Sequence, residues 1–69
     1  MTQKELLYVE DAIKHENNIV IICEETINLL EDDDLVSFFE KELKAHQKLK
    51  KELINMLEVK ADEWSNING

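Results

Sequence analysis

Three polar side chains interrupt an otherwise apolar helical pattern in this 69-residue chain and could together bind a metal ion. Glu42 and His46 lie four residues apart, so on a helix they share one face, one turn from each other. Glu16 fills the corresponding interruption in the first half of the chain, between Ile13 and Val20. Because carboxylates and imidazoles both bind divalent cations, metal ligation by Glu16, Glu42 and His46 is one hypothesis.

The same residue types also have interpretations that need no metal. Glu42 and His46 could form a hydrogen-bonded pair one helical turn apart. Glu16 could pair with Lys48 or Lys51, and a polar residue in an apolar stripe often fixes the register or oligomeric state of helices. The sequence leaves both interpretations open.

Two helices are expected to position these residues. In the first half of the chain, apolar residues recur at spacings of three and four at Leu6, Val9, Ile13, Val20, Cys23, Ile27 and Leu30. In the second half they recur at Leu35, Phe39, Leu49, Leu53 and Met56. This spacing is typical of amphipathic helices. The chain contains no proline, and its one glycine is Gly69.

The acidic run at residues 31–34 breaks this pattern and predicts a turn. Helix 1 is expected over about residues 3–30 and helix 2 over about residues 35–64, with Asp32 or Asp33 as the N-cap of helix 2. The predicted fold is therefore all-α, a single antiparallel two-helix hairpin that spans residues 1–69.

A second apolar stripe beside the first predicts that the hairpin associates with another copy. On helix 1 this stripe consists of Tyr8, Ala12, Ile19, Ile22 and Leu29, with His15 and Thr26 in register. On helix 2 it consists of Val36, Leu43 and Leu57 and is interrupted by Lys50. Since a two-helix layer covers one stripe per helix, we expect a homodimer that forms a four-helix bundle. A three-helix partner or a larger ring fits the same pattern, and the sequence does not separate these cases.

The pattern also resembles a known family. The resemblance rests on Glu16 with Ala12, Ile13, Ile19 and Ile22 around it, on the acidic turn before Leu35, and on Phe39, Glu42 and His46. On these residues the chain resembles the ferritin-like superfamily, and within it the small helical hairpins related to the spore coat protein F family. The resemblance implies binding of iron or another divalent metal through Glu16, Glu42 and His46. The low proline and glycine content, with many Asn, Ile, Lys and Glu residues, suggests a bacterial source.

The chain departs from the family pattern at two positions. The usual Glu-x-x-His spacing is absent, because Leu43 stands three residues before His46 and the nearest acid, Glu42, stands four before it. Lys50 stands one turn beyond His46, where a positive charge would oppose a cation.

Composition excludes several classes of function. The net charge of −8 argues against nucleic acid and anionic membrane surfaces as partners. The single cysteine, Cys23, cannot form an internal disulfide, and no signal peptide is visible, so we expect a cytoplasmic protein, with a spore-associated location as the alternative. The Ile19–Cys23 run is too short to span a bilayer.

Two functions from different classes therefore follow from the sequence. The first is a small metal-binding bundle with its carboxylate and histidine site between the helices of a homodimer. The second is a non-enzymatic structural or protein-interaction hairpin without metal. No nucleophile–base arrangement is visible, so enzymatic activity is left open. A third interpretation, an acidic mimic of nucleic acid, rests on the net charge alone.

Overall fold

The computed structural model describes the backbone of residues 1–68 and the side chains of residues 1–61. Helix α1 spans Gln3–Leu29 and helix α2 spans Asp33–Asn68, and the two pack side by side as an antiparallel hairpin. The described backbone contains no strand, so the all-α hairpin is confirmed. Asp33 and Asp34, which the sequence assigns to the turn, form the first turn of α2.

The start of α1 is fixed by a capping box. The Thr2 backbone N–H donates to Glu5 Oε1 at 2.8 Å, and the Glu5 N–H donates to Thr2 Oγ1 at 3.1 Å. The hydrogen bond from the Thr2 backbone lowers the pKa of the Glu5 carboxyl. Two N–H groups that the first turn leaves without helical partners are thereby satisfied.

The turn between the helices is short and acidic. Leu30 has an extended backbone, and its N–H donates to the Thr26 carbonyl at 3.1 Å, which closes the last turn of α1. Asp32 is the N-cap of α2, because its Oδ1 accepts the Leu35 N–H at 3.0 Å. The negative charges of Asp33 and Asp34 then lie at the positive end of the α2 dipole.

The residues that α1 and α2 turn toward each other repeat like the a and d positions of a heptad. In α1 and its C-cap they are Leu6, Val9, Ile13, Glu16, Val20, Cys23, Ile27 and Leu30. In α2 they are Val36, Phe39, Leu43, His46, Lys50, Leu53 and Leu57. All of these are at least half-buried, but within residues 1–61 only Val20 and Cys23 are less than a tenth exposed. The hairpin thus has a core one layer thick.

The inward stripe of α2 differs from the one that the sequence favoured. Val36, Leu43 and Leu57 face α1, whereas Leu35 and Met56 are exposed. Two neighbouring stripes on α2 both satisfy the spacing of three and four, so spacing alone cannot decide which of them meets α1.

One side of the hairpin carries most of the exposed apolar side chains, and we call it the apolar face. From α1 it contains Tyr8, Ala12, His15, Ile19, Ile22, Thr26 and Leu29. From α2 it contains Leu35, Phe38, Glu42, Ala45, Leu49, Glu52, Met56 and Val59. Both sets lie on the same side because the helices are antiparallel and each set is rotated from its inward stripe in the same sense.

The other side of the hairpin is polar. A shallow depression there is lined by Asn17, Glu24, Gln47 and Lys51, with Ile21 and Ile54 between them. Within the described residues, neither helix carries an apolar stretch long enough to cross a bilayer.

Candidate functional site

Glu16, Glu42 and His46 meet in the middle of the hairpin. Glu16 projects from α1 and His46 from α2, both within the inward stripes. His46 Nδ1 lies 2.5 Å from Glu16 Oε2, and His46 Nε2 lies 3.5 Å from Glu42 Oε2. The imidazole therefore stands between two carboxylates, one on each helix, and the three residues singled out from the sequence form one cluster.

This cluster is partly shielded from water, and the shielding differs between its members. The Glu16 side chain is 13% exposed and that of His46 is 25% exposed, whereas Glu42 at the rim is 44% exposed. The Glu16–His46 contact is consequently the stronger of the two interactions, because it is both shorter and less hydrated. Glu42 and His46 lie one helical turn apart on α2, and their ion pair is more solvated.

The geometry favours the protonated state of the imidazole. With a carboxylate at each ring nitrogen, the imidazolium can direct Nδ1–H to Glu16 and Nε2–H toward Glu42. The hydrogen bond to Glu16 raises the pKa of His46 above its usual value, and the charges of Glu16 and Glu42 add to this effect, while desolvation opposes it.

A second polar pair lies beside the first. Lys50 Nζ donates to Asn17 Oδ1 at 2.8 Å across the helix interface. The sequence reasoning did not select Asn17, although it follows Glu16 directly and lies opposite Lys50 in an antiparallel hairpin that turns near residue 32. Glu16 itself pairs with His46 rather than with Lys48 or Lys51. Both lysines are exposed.

The three side chains do not converge on a single point where one ion could bind. Glu16 and Glu42 approach different nitrogens of the same ring, and these nitrogens point away from each other. Among residues 1–61, no group of three or more histidine, cysteine, aspartate or glutamate side chains has a geometry that could hold a metal. In this arrangement the cluster is a hydrogen-bonded polar bridge, and metal ligation by Glu16, Glu42 and His46 stays a prediction.

The other candidate side chains lie outside this cluster. Cys23 is a free thiol that is buried between the helices. His15 is exposed on the apolar face, next to Glu16 in sequence but on a different side of α1. Neither residue adds a donor to the Glu16–His46–Glu42 cluster.

Comparison of the chain with protein-family models, with curated proteins and with solved structures finds no match. The resemblance to ferritin-like hairpins and to the spore coat protein F family therefore stays a prediction.

Proposed function

We propose that the chain is a self-assembling, non-enzymatic helical hairpin that completes its core by pairing its apolar face with that of a second copy. The product is a four-helix bundle with the architecture that the ferritin-like resemblance suggests. The observation that supports it is the apolar face itself, on which large apolar side chains such as Ile22, Phe38 and Met56 are more than half exposed.

The accessible surface also supports association. The chain exposes 5692 Å², whereas a folded monomer of its 8.1 kDa mass exposes about 4,500 Å². The Cα atoms extend over 54 × 16 × 12 Å. The apolar face occupies about 36 Å of this length, from Leu35 to Val59 of α2.

In this proposal the polar cluster has a structural role. At one level of the bundle the apolar stripes are interrupted by Glu16, His46 and Glu42. One turn away they are interrupted by Asn17 and Lys50. A half-buried polar pair is satisfied in only one alignment of the two helices, so it selects that alignment against slipped ones. The family resemblance suggests a coat-associated or cytoplasmic setting for such a module in a bacterial cell.

The test compares two adjacent isoleucines that lie on opposite sides of α1. Ile22, on the apolar face, is 58% exposed, and Ile21, on the polar side, is 44% exposed. In sedimentation equilibrium we expect the parent protein and Ile21→Glu to have twice the 8.1 kDa chain mass, and Ile22→Glu to have the single-chain mass.

Ile21→Glu is the matched control, because it introduces the same charge into the same helix. Equal masses for Ile21→Glu and Ile22→Glu, or a monomeric parent protein at high concentration, would contradict the proposed pairing through the apolar face.

Divalent metal binding by the same cluster is the second candidate function. It is favoured by one observation, the contact of Glu16, Glu42 and His46 in a partly shielded position. Metal binding would require the Glu16–His46 hydrogen bond to open, so that Nδ1 and the carboxylate oxygens could face one ion.

Titration calorimetry with Fe(II) on chelator-treated protein tests this candidate. Binding of about one ion per chain is expected to be lost in His46→Ala and kept in His15→Ala, which removes a histidine outside the cluster. Absence of a binding signal in the parent protein, or equal binding by both variants, rejects it.

A further inference from the structure

We infer that the two hairpins pair antiparallel, with the turn of one copy over the open end of the other, so that Leu35 and Phe38 seat in a groove of the partner. This inference rests on the proposed function, because it specifies how the apolar faces meet. Three features of the described residues support it: the spacing of the apolar side chains along α2, the shape of the apolar face, and the distribution of charge.

The apolar residues of α2 are spaced symmetrically about Gln47. Phe38 and Met56 each lie nine residues from Gln47, and Leu35 and Val59 each lie twelve residues from it. At 1.5 Å per residue these distances are about 13 Å and about 18 Å. A two-fold axis at the level of Gln47 therefore places Phe38 next to the partner's Met56, and Leu35 next to the partner's Val59.

On α1 the apolar residues have the same kind of symmetry. Tyr8 and Leu29 lie at equal distances from the point between Asn18 and Ile19, and so do Ile22 and the polar His15. In an antiparallel pair each helix then packs against its own copy, so both α1 and α2 meet apolar residues at matching levels. This reciprocal arrangement is what a two-fold interface requires.

The two ends of the apolar face have complementary shapes. Near the open end lies a groove of about 300 Å³, lined by Val9, Leu53, Met56 and Leu57 among others. At the turn, Leu35 and Phe38 project into solvent, and Phe38 is 55% exposed. An antiparallel pair places these projecting side chains at the level of the groove, whereas a pair with both turns at the same end leaves two grooves facing each other.

Charge favours the same orientation. The turn carries the acidic run Glu31–Asp34, and a pair with both turns at the same end would bring two such runs together. In the antiparallel pair each acidic turn instead lies beside the partner's open end, where Lys4 and Lys60 lie among the acids Glu5 and Glu58, so that fewer like charges meet. Near the middle of the bundle Glu42 faces the partner's Glu52, and His46 Nε2 lies 3.5 Å from Glu42 Oε2 at that level.

The distance between two spin labels at the turn tests the orientation. The variant Cys23→Ala/Glu31→Cys carries one label in the exposed connection between the helices, so the caps and the apolar face are untouched. The antiparallel pair predicts a distance of about 45 Å between the two labels. A pair with both turns at the same end predicts about 25 Å or less, since neighbouring helices lie roughly 10 Å apart.

The result also separates this inference from the proposed function. A dimer with the short distance overturns the antiparallel orientation and leaves pairing through the apolar face intact. A single-chain mass for the labelled protein and for the unlabelled parent contradicts both.

Oxidative cross-linking gives a second, independent test of the groove contact. In a Cys23→Ala background, Phe38→Cys together with Met56→Cys is expected to yield covalent dimer, because the two positions are adjacent across the interface. Phe38→Cys alone is expected to yield little, since its own copy lies about 27 Å away along the bundle. Efficient cross-linking of the Phe38→Cys single variant would contradict the inference.

Discussion

His46 is the residue whose environment makes the most specific prediction in solution. The hydrogen bond to Glu16 raises its pKa in the folded chain above the value of about 6.5 typical of an exposed histidine. The folded state therefore binds the proton more tightly than the unfolded state does. Its contribution to stability is fully present below the unfolded-state pKa and is lost as the pH rises through the higher folded-state pKa.

We accordingly expect the unfolding midpoint to fall as the pH is raised through the folded-state pKa of His46. Proton NMR titration of the imidazole should give an elevated pKa in the parent protein and a lower one in Glu16→Gln, which keeps the shape of the side chain but removes its charge. An unchanged pKa in Glu16→Gln would show that Glu16 is not the cause.

The effect of polar groups in the inward stripes on the free energy of unfolding can be measured by replacing Glu16 and His46 together. Glu16→Leu/His46→Leu removes two partly shielded polar groups and leaves neither without its partner, so we expect a higher unfolding midpoint than in the parent protein. Glu16→Leu alone should be less stable than the double variant, because His46 then loses its main acceptor. Urea denaturation of all three proteins checks this order.

At the residue scale, the contact among Glu16, Glu42 and His46 could be predicted from spacing and from the position of the turn. The arrangement of their atoms could not, because spacing does not determine which ring nitrogen faces which carboxylate. That choice separates a polar bridge from a ligand set for one ion. The contact of Asn17 with Lys50 was not predicted, because a single asparagine on a helix has no distinctive sequence pattern.

The two helices owe their boundaries mainly to their caps. Asp32 accepts the Leu35 N–H at the start of α2, and Thr2 and Glu5 form the capping box of α1. Replacing Asp32 by alanine should lower the free energy of unfolding by about 1 kcal/mol. Asp34→Ala, which removes a charge from the first turn but keeps the cap, should cost less.

Thermal or urea unfolding followed by circular dichroism measures both variants. Equal losses in Asp32→Ala and Asp34→Ala would mean that charge at the helix end, rather than the capping hydrogen bond, stabilises the start of α2.

At the element scale, the helical spacing and the acidic break were sufficient to predict two helices and a hairpin. They were not sufficient to orient α2, because Leu35, Leu49 and Met56 form as good a stripe as Val36, Leu43 and Leu57. The choice depends on packing against α1, which is a property of the pair of helices and not of either sequence segment.

The molecule as a whole is a pair of helices with a thin core and one exposed apolar face. Within residues 1–61 its inward stripes leave only Val20 and Cys23 less than a tenth exposed, and its apolar face leaves large side chains in contact with water. Folding of a chain this small gains little from such a core. The free energy that stabilises the helices should therefore come largely from the contact with a second copy, which the sequence predicted from its second apolar stripe on α1.

The most direct test of self-assembly is the helix content of the parent protein as a function of dilution. Far-ultraviolet circular dichroism at constant temperature, from about 100 μM to about 0.1 μM, should show loss of helix and a falling unfolding midpoint, since the folded chain and the pair are linked by mass action. A helix content and an unfolding midpoint that are the same at every concentration would contradict the account, because the single hairpin would then be stable alone.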